Sequence, residues 1–323
     1  MADTESRFVG TIVGCAVGDA LGAPFEGRPG SYMPSSEKLL GGFEKIRGYP
    51  LGQYTDDTQM TLAIADSLIE TGAFDAEDIA RRFADLWQGG EIVGAGAACS
   101  EGVANFISGI PADRSGAPVG RAGNGTAMRA SPVGLWFHKD IEASVEASSA
   151  QSAITHLDPR AAAGAAAVST AVAIFADGKE TGREDFLKTV STSAARYSEE
   201  FAGFIMDLSE KMDSDQRDVP LWISSAGLPN GAGRPEGITP FVIPTVLASL
   251  YSLLRHPDDW GDAVTSVIGY GGDVDTTGAI VGAMAGAKLG IEAVPKHLVE
   301  TLKDSEKILA KAEKLHKRII DKI

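Results

Sequence analysis

The sequence is short of cysteine, of positive charge, of long hydrophobic runs and of strand-like alternation, and each shortage closes off a class of protein. Two cysteines among 323 residues, Cys15 and Cys99, cannot build a disulfide framework. Each lies in an apolar stretch of small residues, which predicts buried free thiols and a reducing, cytoplasmic setting. Lysine and arginine number 29 against 44 aspartates and glutamates, a formal charge of −15. The basic excess that tracks nucleic-acid phosphates is therefore missing, and any anionic substrate has to be held locally. The N-terminus "MADTESRFVG" has early acidic residues and no basic region ahead of its apolar run, so it does not read as a signal peptide. The longest uncharged apolar run, "AAAGAAAVSTAVAIFA" at 161–176, is shorter than the ~20 residues of a membrane span and is built of alanine; it predicts a buried helix. No nucleic-acid or membrane partner is expected, and the chain is expected to be a monomer.

What is present is helical periodicity. The pattern predicts helices over 7–21, 58–71, 76–87, 94–107, 141–153, 159–176, 183–212, 239–255, 259–268, 276–289 and 295–323, an all-α fold forming one domain over 1–323. The 58–71 helix is apolar on all sides and so belongs at the centre. The last segment places Ile308, Ala312, Leu315, Ile319 and Ile323 on one face, with Lys303, Lys307, Lys311, Lys314 and Lys317 elsewhere, as in a surface helix. Two helices carry glycine every fourth residue, Gly10, Gly14, Gly18, Gly22 and Gly278, Gly282, Gly286, Gly290. Glycine inside a helix costs about 1 kcal/mol relative to alanine, so such stripes imply close approach of another backbone. The two stripes are expected to face each other. The Gly- and Pro-rich passages 22–53, 109–126 and 225–240 are too short to divide domains and read as loops over one site.

The chemistry sits at helix starts. "TDDTQ" places Thr55, Asp56 and Asp57 ahead of the central helix, with Asp57 or Thr58 able to cap it. A cap accounts for one aspartate, through roughly 0.3–1 kcal/mol of dipole stabilisation, and leaves the second unexplained. The second glycine-stripe helix opens in the same manner, with Asp273, Asp275 and Thr276 in "GGDVDTTG". Two such termini brought together form a ring of hard oxygen donors suited to magnesium or manganese rather than zinc, since neither motif offers histidine or cysteine. Asp19 and Glu26 in "GCAVGDALGAPFEGRP" either join this ring or serve locally as a backbone partner and a loop acid. "GNGTAMRASPVG" leads bare amides into a helix, in the manner of a phosphate or ribose cradle. His156 in "SAITHLDPRAAAGAAA" precedes a helix opened by Asp158 and Pro159, and is either structural or part of a loop-built site.

Taken in order, "GDALGAPFE", "TDDTQMTL", "GNGTAMRASP", "THLDPRA" and "GGDVDTTGAIVGAMAGA" resemble the ADP-ribosylglycohydrolase family over roughly residues 7–290. The resemblance implies a compact all-helical bundle around a central dinuclear site, with two divalent metal ions, Mg2+ or Mn2+, as cofactors. It implies Thr55, Asp56, Asp57, Asp273, Asp275 and Thr276 as metal ligands, and Glu26, Asp56, Asp57 and Asp275 as the catalytic set. Gly123, Asn124, Gly125, Thr126 and His156 become substrate-binding residues. The implied reaction is hydrolysis of the bond between ADP-ribose and a protein side chain, with arginine the expected acceptor. Serine-linked ADP-ribose, another ribosyl conjugate and a non-catalytic ADP-ribose binder are the alternatives. Tyr54, Trp222 and Phe241 are candidate adenine partners, and residues 208–240 depart from the family pattern.

Overall fold

The computed structural model describes residues 2–229, 233 and 235–321, whose regular secondary structure is almost all α-helix. Sixteen α-helices occur among the described residues: α1 (Thr4–Gly22), α2 (Ser36–Leu40), α3 (Asp56–Thr71), α4 (Ala76–Gln88), α5 (Ala97–Ile107), α6 (Ser131–Trp136), α7 (Ile141–Ala153), α8 (Pro159–Asp177), α9 (Arg183–Ala195), α10 (Glu199–Met212), α11 (Val219–Ser225), α12 (Val242–Arg255), α13 (Trp260–Ile268), α14 (Val274–Leu289), α15 (Lys296–Thr301) and α16 (Ser305–Ile320). Two two-residue strands, β1 (Arg28–Pro29) and β2 (Gly271–Gly272), pair antiparallel.

The glycine stripes do face each other, and they set the architecture. α1 and α14 run antiparallel at the centre, so that a Cβ built on Gly14 would lie 2.3 Å from the Gly282 carbonyl oxygen, one on Gly18 2.1 Å from that of Gly278, and one on Gly286 1.9 Å from that of Gly10. The Trp260 indole of α13 donates to the Gly282 carbonyl at 3.0 Å, closing the other side of the seam. Contact this close is possible only without side chains, which is what the helix propensity lost at seven positions secures, Gly290 standing just past the end of α14.

α8, predicted as a buried alanine-rich helix, is buried from Ala161 to Ile174. By length and composition both Thr4–Phe25 and Pro159–Asp177 could cross a membrane, yet 89% and 83% of their most apolar windows are packed inside the fold. α3 is central as expected, and α16 buries Ile308, Ala312, Leu315 and Ile319; Ile323 lies outside the described residues. Lys307, Lys314 and Lys317 are solvated. Lys311 instead pairs with Asp66 at 2.5 Å and Lys303 sits 5.1 Å from the Tyr54 ring centre, so that face is partly used for docking.

Several boundaries differ from the periodicity. The 183–212 helix is two, because Ser198 stops the first and caps the second by accepting from the Phe201 amide at 3.2 Å. The 295–323 helix breaks at Leu302–Asp304, where Asp304 adopts φ +56°. The 94–107 helix starts at Ala97, leaving Gly94–Gly96 as a loop, and the 239–255 helix starts at Val242. The short helices α2, α6 and α11 have too few turns to show a period.

Candidate active site

The site forms where the C-terminal end of α1 meets the N-terminal ends of α3 and α14. The entry into α14 is fixed by Gly271 and Gly272, both at positive φ (73° and 84°). A Cβ on Gly272 would lie 2.1 Å from the Ile238 carbonyl oxygen. In that tight fit the Ile238 amide donates to the Gly271 carbonyl (2.9 Å), the Asp273 amide to the Ile238 carbonyl (2.8 Å) and the Gly27 amide to the Gly272 carbonyl (2.8 Å). Loops from residues 26–30 and 235–240 are thereby clamped on one Gly-Gly step. The result brings Glu26, Asp273 and Asp275 together, with one carboxylate oxygen from each lying within 4.8 Å of the others.

The other wall is α3. Its first turn is capped from α1: the Asp19 carboxylate accepts from the amides of Thr55 (3.0 Å) and Thr58 (3.1 Å) and from both hydroxyls, Thr55 at 2.9 Å and Thr58 at 2.5 Å. Asp19 is therefore the cap that local sequence offered to Asp57 or Thr58, and it leaves Asp56 and Asp57 free for the cavity. The Thr55 hydroxyl oxygen also lies 3.0 Å from Asp57 Oδ2, so its one hydrogen is shared between that carboxylate and Asp19, whereas Asp57 Oδ1 is buried with no hydrogen-bond partner.

A cleft of about 170 Å³ runs between these walls, lined by Glu26, Asp56, Asp57, Gly123, Asn124, Gly125, His156, Asp273, Asp275 and Thr276. Ten of the twelve expected site residues thus share one cavity. Thr55 stands behind the wall, tied to Asp19 and Asp57. Thr126 is turned away: its hydroxyl donates to the Ala161 carbonyl at 2.7 Å and ties the glycine loop to α8. Asn124 Nδ2 donates to Asp273 Oδ2 (2.7 Å) and to the Thr245 hydroxyl (3.0 Å), linking that loop to the carboxylates. Gly94, Gly96 and Cys99 also line the cleft and were not expected there; the two glycines just ahead of α5 were the available signal. Of the aromatic candidates, Phe241 forms a backbone bridge with Gly123 beside the cleft, Tyr54 donates to Asp304 (3.2 Å), and Trp222 packs on Phe204.

Electrostatically the site is a knot of like charges. Burial pushes Asp19 up to about 6. Burial, aided by Asp19 and Asp273, pushes Asp56 up to about 7. Asp57 and Asp275 are raised well above the usual carboxylate range, by burial first and by neighbouring carboxylates second, and Glu26 is raised by burial and Asp273. Among the described residues no lysine or arginine lines the cleft beside them. His156 moves the opposite way, to about 3, because burial and the Arg129 charge oppose its protonation. Buried carboxylates without cationic partners are costly. An all-oxygen donor set, with Asp57 Oδ1 orphaned, fits a hard divalent cation.

A family profile described as ADP-ribosylglycohydrolase matches residues 1–322. The chain belongs to the ADP-ribosylglycohydrolase family. Among similar family members, ADP-ribosylhydrolase ARH3 of Danio rerio is 30% identical over 316 residues, covering 90% of this chain and 84% of its own. The ADP-ribosyl-[dinitrogen reductase] glycohydrolase of Rhodospirillum rubrum is 30% identical over 302 residues, 90% and 88% of the two chains. The ADP-ribosylarginine hydrolase Tri1 of Serratia proteamaculans is 25% identical over 321 residues, 97% and 80%. A solved structure titled ADP-ribosylglycohydrolase-related protein complex superposes with a TM-score of 0.77 at 24% identity, covering 98% of this chain and 99% of that one, which establishes the fold.

Proposed function

We propose that this family member is a divalent-metal-dependent hydrolase that removes ADP-ribose from an arginine side chain of a modified protein. The observation that carries the reading is the convergence of Glu26, Asp56, Asp57, Asp273 and Asp275 on one cleft that no lysine or arginine lines among the described residues. Family membership supports the ADP-ribosyl bond as the target, and the similarity to the ADP-ribosylarginine hydrolase of Serratia proteamaculans supports arginine as acceptor.

Two divalent ions, Mg2+ or Mn2+, would be held by Asp56 and Asp57 on one side and Asp273, Asp275 and Thr276 on the other, with Thr55 buttressing the first pair. When bound, such ions supply Lewis acidity that makes water a nucleophile near neutral pH and an anchor for ribose hydroxyls. The chain's own groups do the rest. A cleft of this volume is below the roughly 300–1,000 Å³ of a drug-sized ligand site, so it takes the ribose next to the scissile bond and leaves the nucleotide along the Gly123–Gly125 loop. The Gly123 and Gly125 amides donate to the pyrophosphate without a basic patch, the Asn124 amide being held by the Pro240 carbonyl at 3.0 Å, and Phe241 offers the adenine a ring. The water oxygen bonds to the anomeric carbon, the bond to the guanidine nitrogen breaks, and Glu26 moves a proton from the water to that nitrogen.

The direct test is release of free ADP-ribose from an ADP-ribosyl-arginine protein with magnesium, with manganese and after chelation. Metal-dependent release is expected; release only from an ADP-ribosyl-serine substrate would overturn the acceptor, and release unaffected by chelation would overturn the metal.

The same carboxylates dictate a pH signature. Because Asp19, Glu26, Asp56, Asp57 and Asp275 titrate higher folded than unfolded, the folded chelated protein binds more protons than the unfolded chain between about pH 4 and 7, so its stability falls as pH rises. His138 and His156, both lowered, oppose this below pH 6.5 but are two against five. Asp78, Asp158, Asp177 and Asp304, all held low, lose their contribution only below about pH 4. In chelator, Tm should rise from pH 7.5 to pH 5.5. Adding manganese at a hundredfold excess over its Kd should raise Tm by about 5 °C at pH 7.5 and by less at pH 5.5, where protons compete. A Tm in chelator that drops on acidification over this range would refute the charge-knot account.

A further inference from the structure

Arg129, in the "GNGTAMRASP" stretch, is fully buried, and among the described residues no carboxylate forms an ion pair with it. A buried guanidinium without a carboxylate is unusual, and its five donors are spent in a particular way. Nε donates to Gln151 Oε1 (2.7 Å), while Nη2 donates to the Gln151 carbonyl (3.0 Å) and to the Thr155 hydroxyl (2.7 Å). Nη1 faces the sulfurs of Met60 (3.8 Å) and Cys99 (3.9 Å), and the group lies 4.8 Å from the Phe83 ring centre. Burial lowers its pKa only to about 10, so it remains charged at neutral pH.

The Thr155 hydroxyl is the link to the cleft, for its oxygen also lies 2.9 Å from His156 Nδ1. Arginine can only donate, so Thr155 must accept from Arg129, and its single hydrogen is left for a different partner. Among the described residues the one remaining partner of that oxygen is His156 Nδ1. Were Nδ1 to carry the ring proton, the buried Thr155 hydrogen would have no acceptor, which buried hydroxyls avoid. The remaining ring edge lies against the glycine loop: a Cβ on Gly123 would be 2.8 Å from Nε2, and one on Gly125 3.1 Å from Cε1. His156 itself lines the cleft.

We infer that Arg129 and Thr155 are positioning residues that fix His156 as a neutral imidazole with its proton on Nε2, so that it presents a permanent hydrogen-bond donor to an oxygen of the bound sugar. The chain runs Arg129 N–H to Thr155 oxygen, Thr155 O–H to Nδ1, and Nε2–H to the cleft. It explains why Gly123 is bare on this side, since a side chain there would displace the donor edge; at Gly125 a Cβ would meet the Cys99 sulfur first, at 2.5 Å. A fixed neutral donor also suits a site crowded with carboxylates: a protonated His156 would attract them into the position that the sugar takes. The catalytic consequence rests on the hydrolase reading above; the direction of the hydrogen bonds does not.

The test combines a spectroscopic signature with a conservative pair of variants. Long-range proton–nitrogen correlation spectra of the labelled full chain should show His156 with a protonated Nε2 and a hydrogen-bonded, unprotonated Nδ1. Thr155→Val keeps the shape and removes the donor; it should erase the hydrogen-bonded Nδ1 signature and lower kcat/KM for an ADP-ribosyl-arginine substrate about tenfold or more. Thr155→Ser should restore the signature and most of the rate, which a packing role for the Thr155 methyl would not allow. A protonated Nδ1 in the unaltered protein overturns the inference whatever the activity, and so does an unchanged Nδ1 signal in Thr155→Val or an equal loss of rate in both variants. Absence of hydrolysis by the unaltered protein would instead count against the function, with the spectra still deciding the tautomer.

Discussion

Gly286→Ala is expected to leave little or no cooperatively folded protein, while Gly203→Ala, the same chemical change, is expected to stabilise it. At Gly286 the new methyl would stand 1.9 Å from the Gly10 carbonyl oxygen and 2.4 Å from its carbon. Both are backbone atoms of α1, so no side-chain rotation relieves the overlap, and the two central helices have to separate. Overpacking ordinarily costs about 1–3 kcal/mol because flexible neighbours give way; without that relief the cost should exceed about 4–5 kcal/mol. That is a large part of the roughly 5–15 kcal/mol holding a domain together. Gly203, exposed in α10, has no atom within 4 Å of a built Cβ, so alanine there gains about 0.5–1 kcal/mol of helix propensity and reduced unfolded-state freedom. Urea unfolding of both variants checks the pair. A Gly286→Ala midpoint close to that of the unaltered protein would mean that the stripe is not the closest contact in the core.

The consequence reaches the site, because the same seam that excludes side chains also sets the distance between the carboxylates. α1 ends in Asp19 and the loop carrying Glu26, and α14 begins with Asp273 and Asp275. At the site end of the pair a Cβ on Gly22 would meet the Val274 carbonyl oxygen at 2.3 Å and the Asp275 amide at 2.5 Å. Widening the pair would draw Glu26 away from the two aspartates. Catalytic geometry here is therefore inherited from backbone contact rather than from side-chain packing, and a milder seam variant should lose activity before it loses helicity.

The parts of this arrangement that could be read from the sequence are those with a repeat in them. Glycine at every fourth position announced a backbone contact, and its recurrence in a second helix identified the partner. The doubled aspartates at two helix starts announced more than capping, again because they occurred twice. What escaped was non-repeating and remote. Asp19 caps a helix starting at Asp56, and no local rule connects positions so far apart; local capping logic assigned the task to Asp57 or Thr58. Thr126 shared a glycine-rich loop with the cleft residues, but spacing along a loop does not say which way a hydroxyl points, and it points to α8. The breaks at Ser198 and Asp304 were hidden because the apolar pattern continues across them while one residue redirects the backbone. Gly94 and Gly96 were absorbed into α5 by the same continuity.

Asp57→Asn is expected to abolish turnover and, in the presence of chelator, to make the protein more stable. Asp57 is buried in the first turn of α3, with Oδ2 bonded to the Thr55 hydroxyl and Oδ1 unpartnered, and its pKa is raised by burial and by Asp19, Asp56 and Asp273 together. An amide keeps the shape and the Thr55 contact, removes one buried like charge, and supplies N–H donors to neighbouring carboxylate oxygens. Relief of that repulsion should contribute about 1 kcal/mol, a Tm gain in chelator of about 1–2 °C. The loss is on the other side: a neutral amide is a poor ligand for a hard divalent cation, so the manganese-dependent rise in Tm should shrink or vanish and hydrolysis should fall about a thousandfold or more. Unchanged helical circular dichroism would show that the fold survives. Stability and function thus pull in opposite directions at this residue, as at sites that retain charge repulsion for the sake of a ligand. Wild-type turnover by Asp57→Asn would remove Asp57 from the metal-holding set, and a lower Tm in chelator would mean that its carboxylate is held by a partner rather than strained against its neighbours.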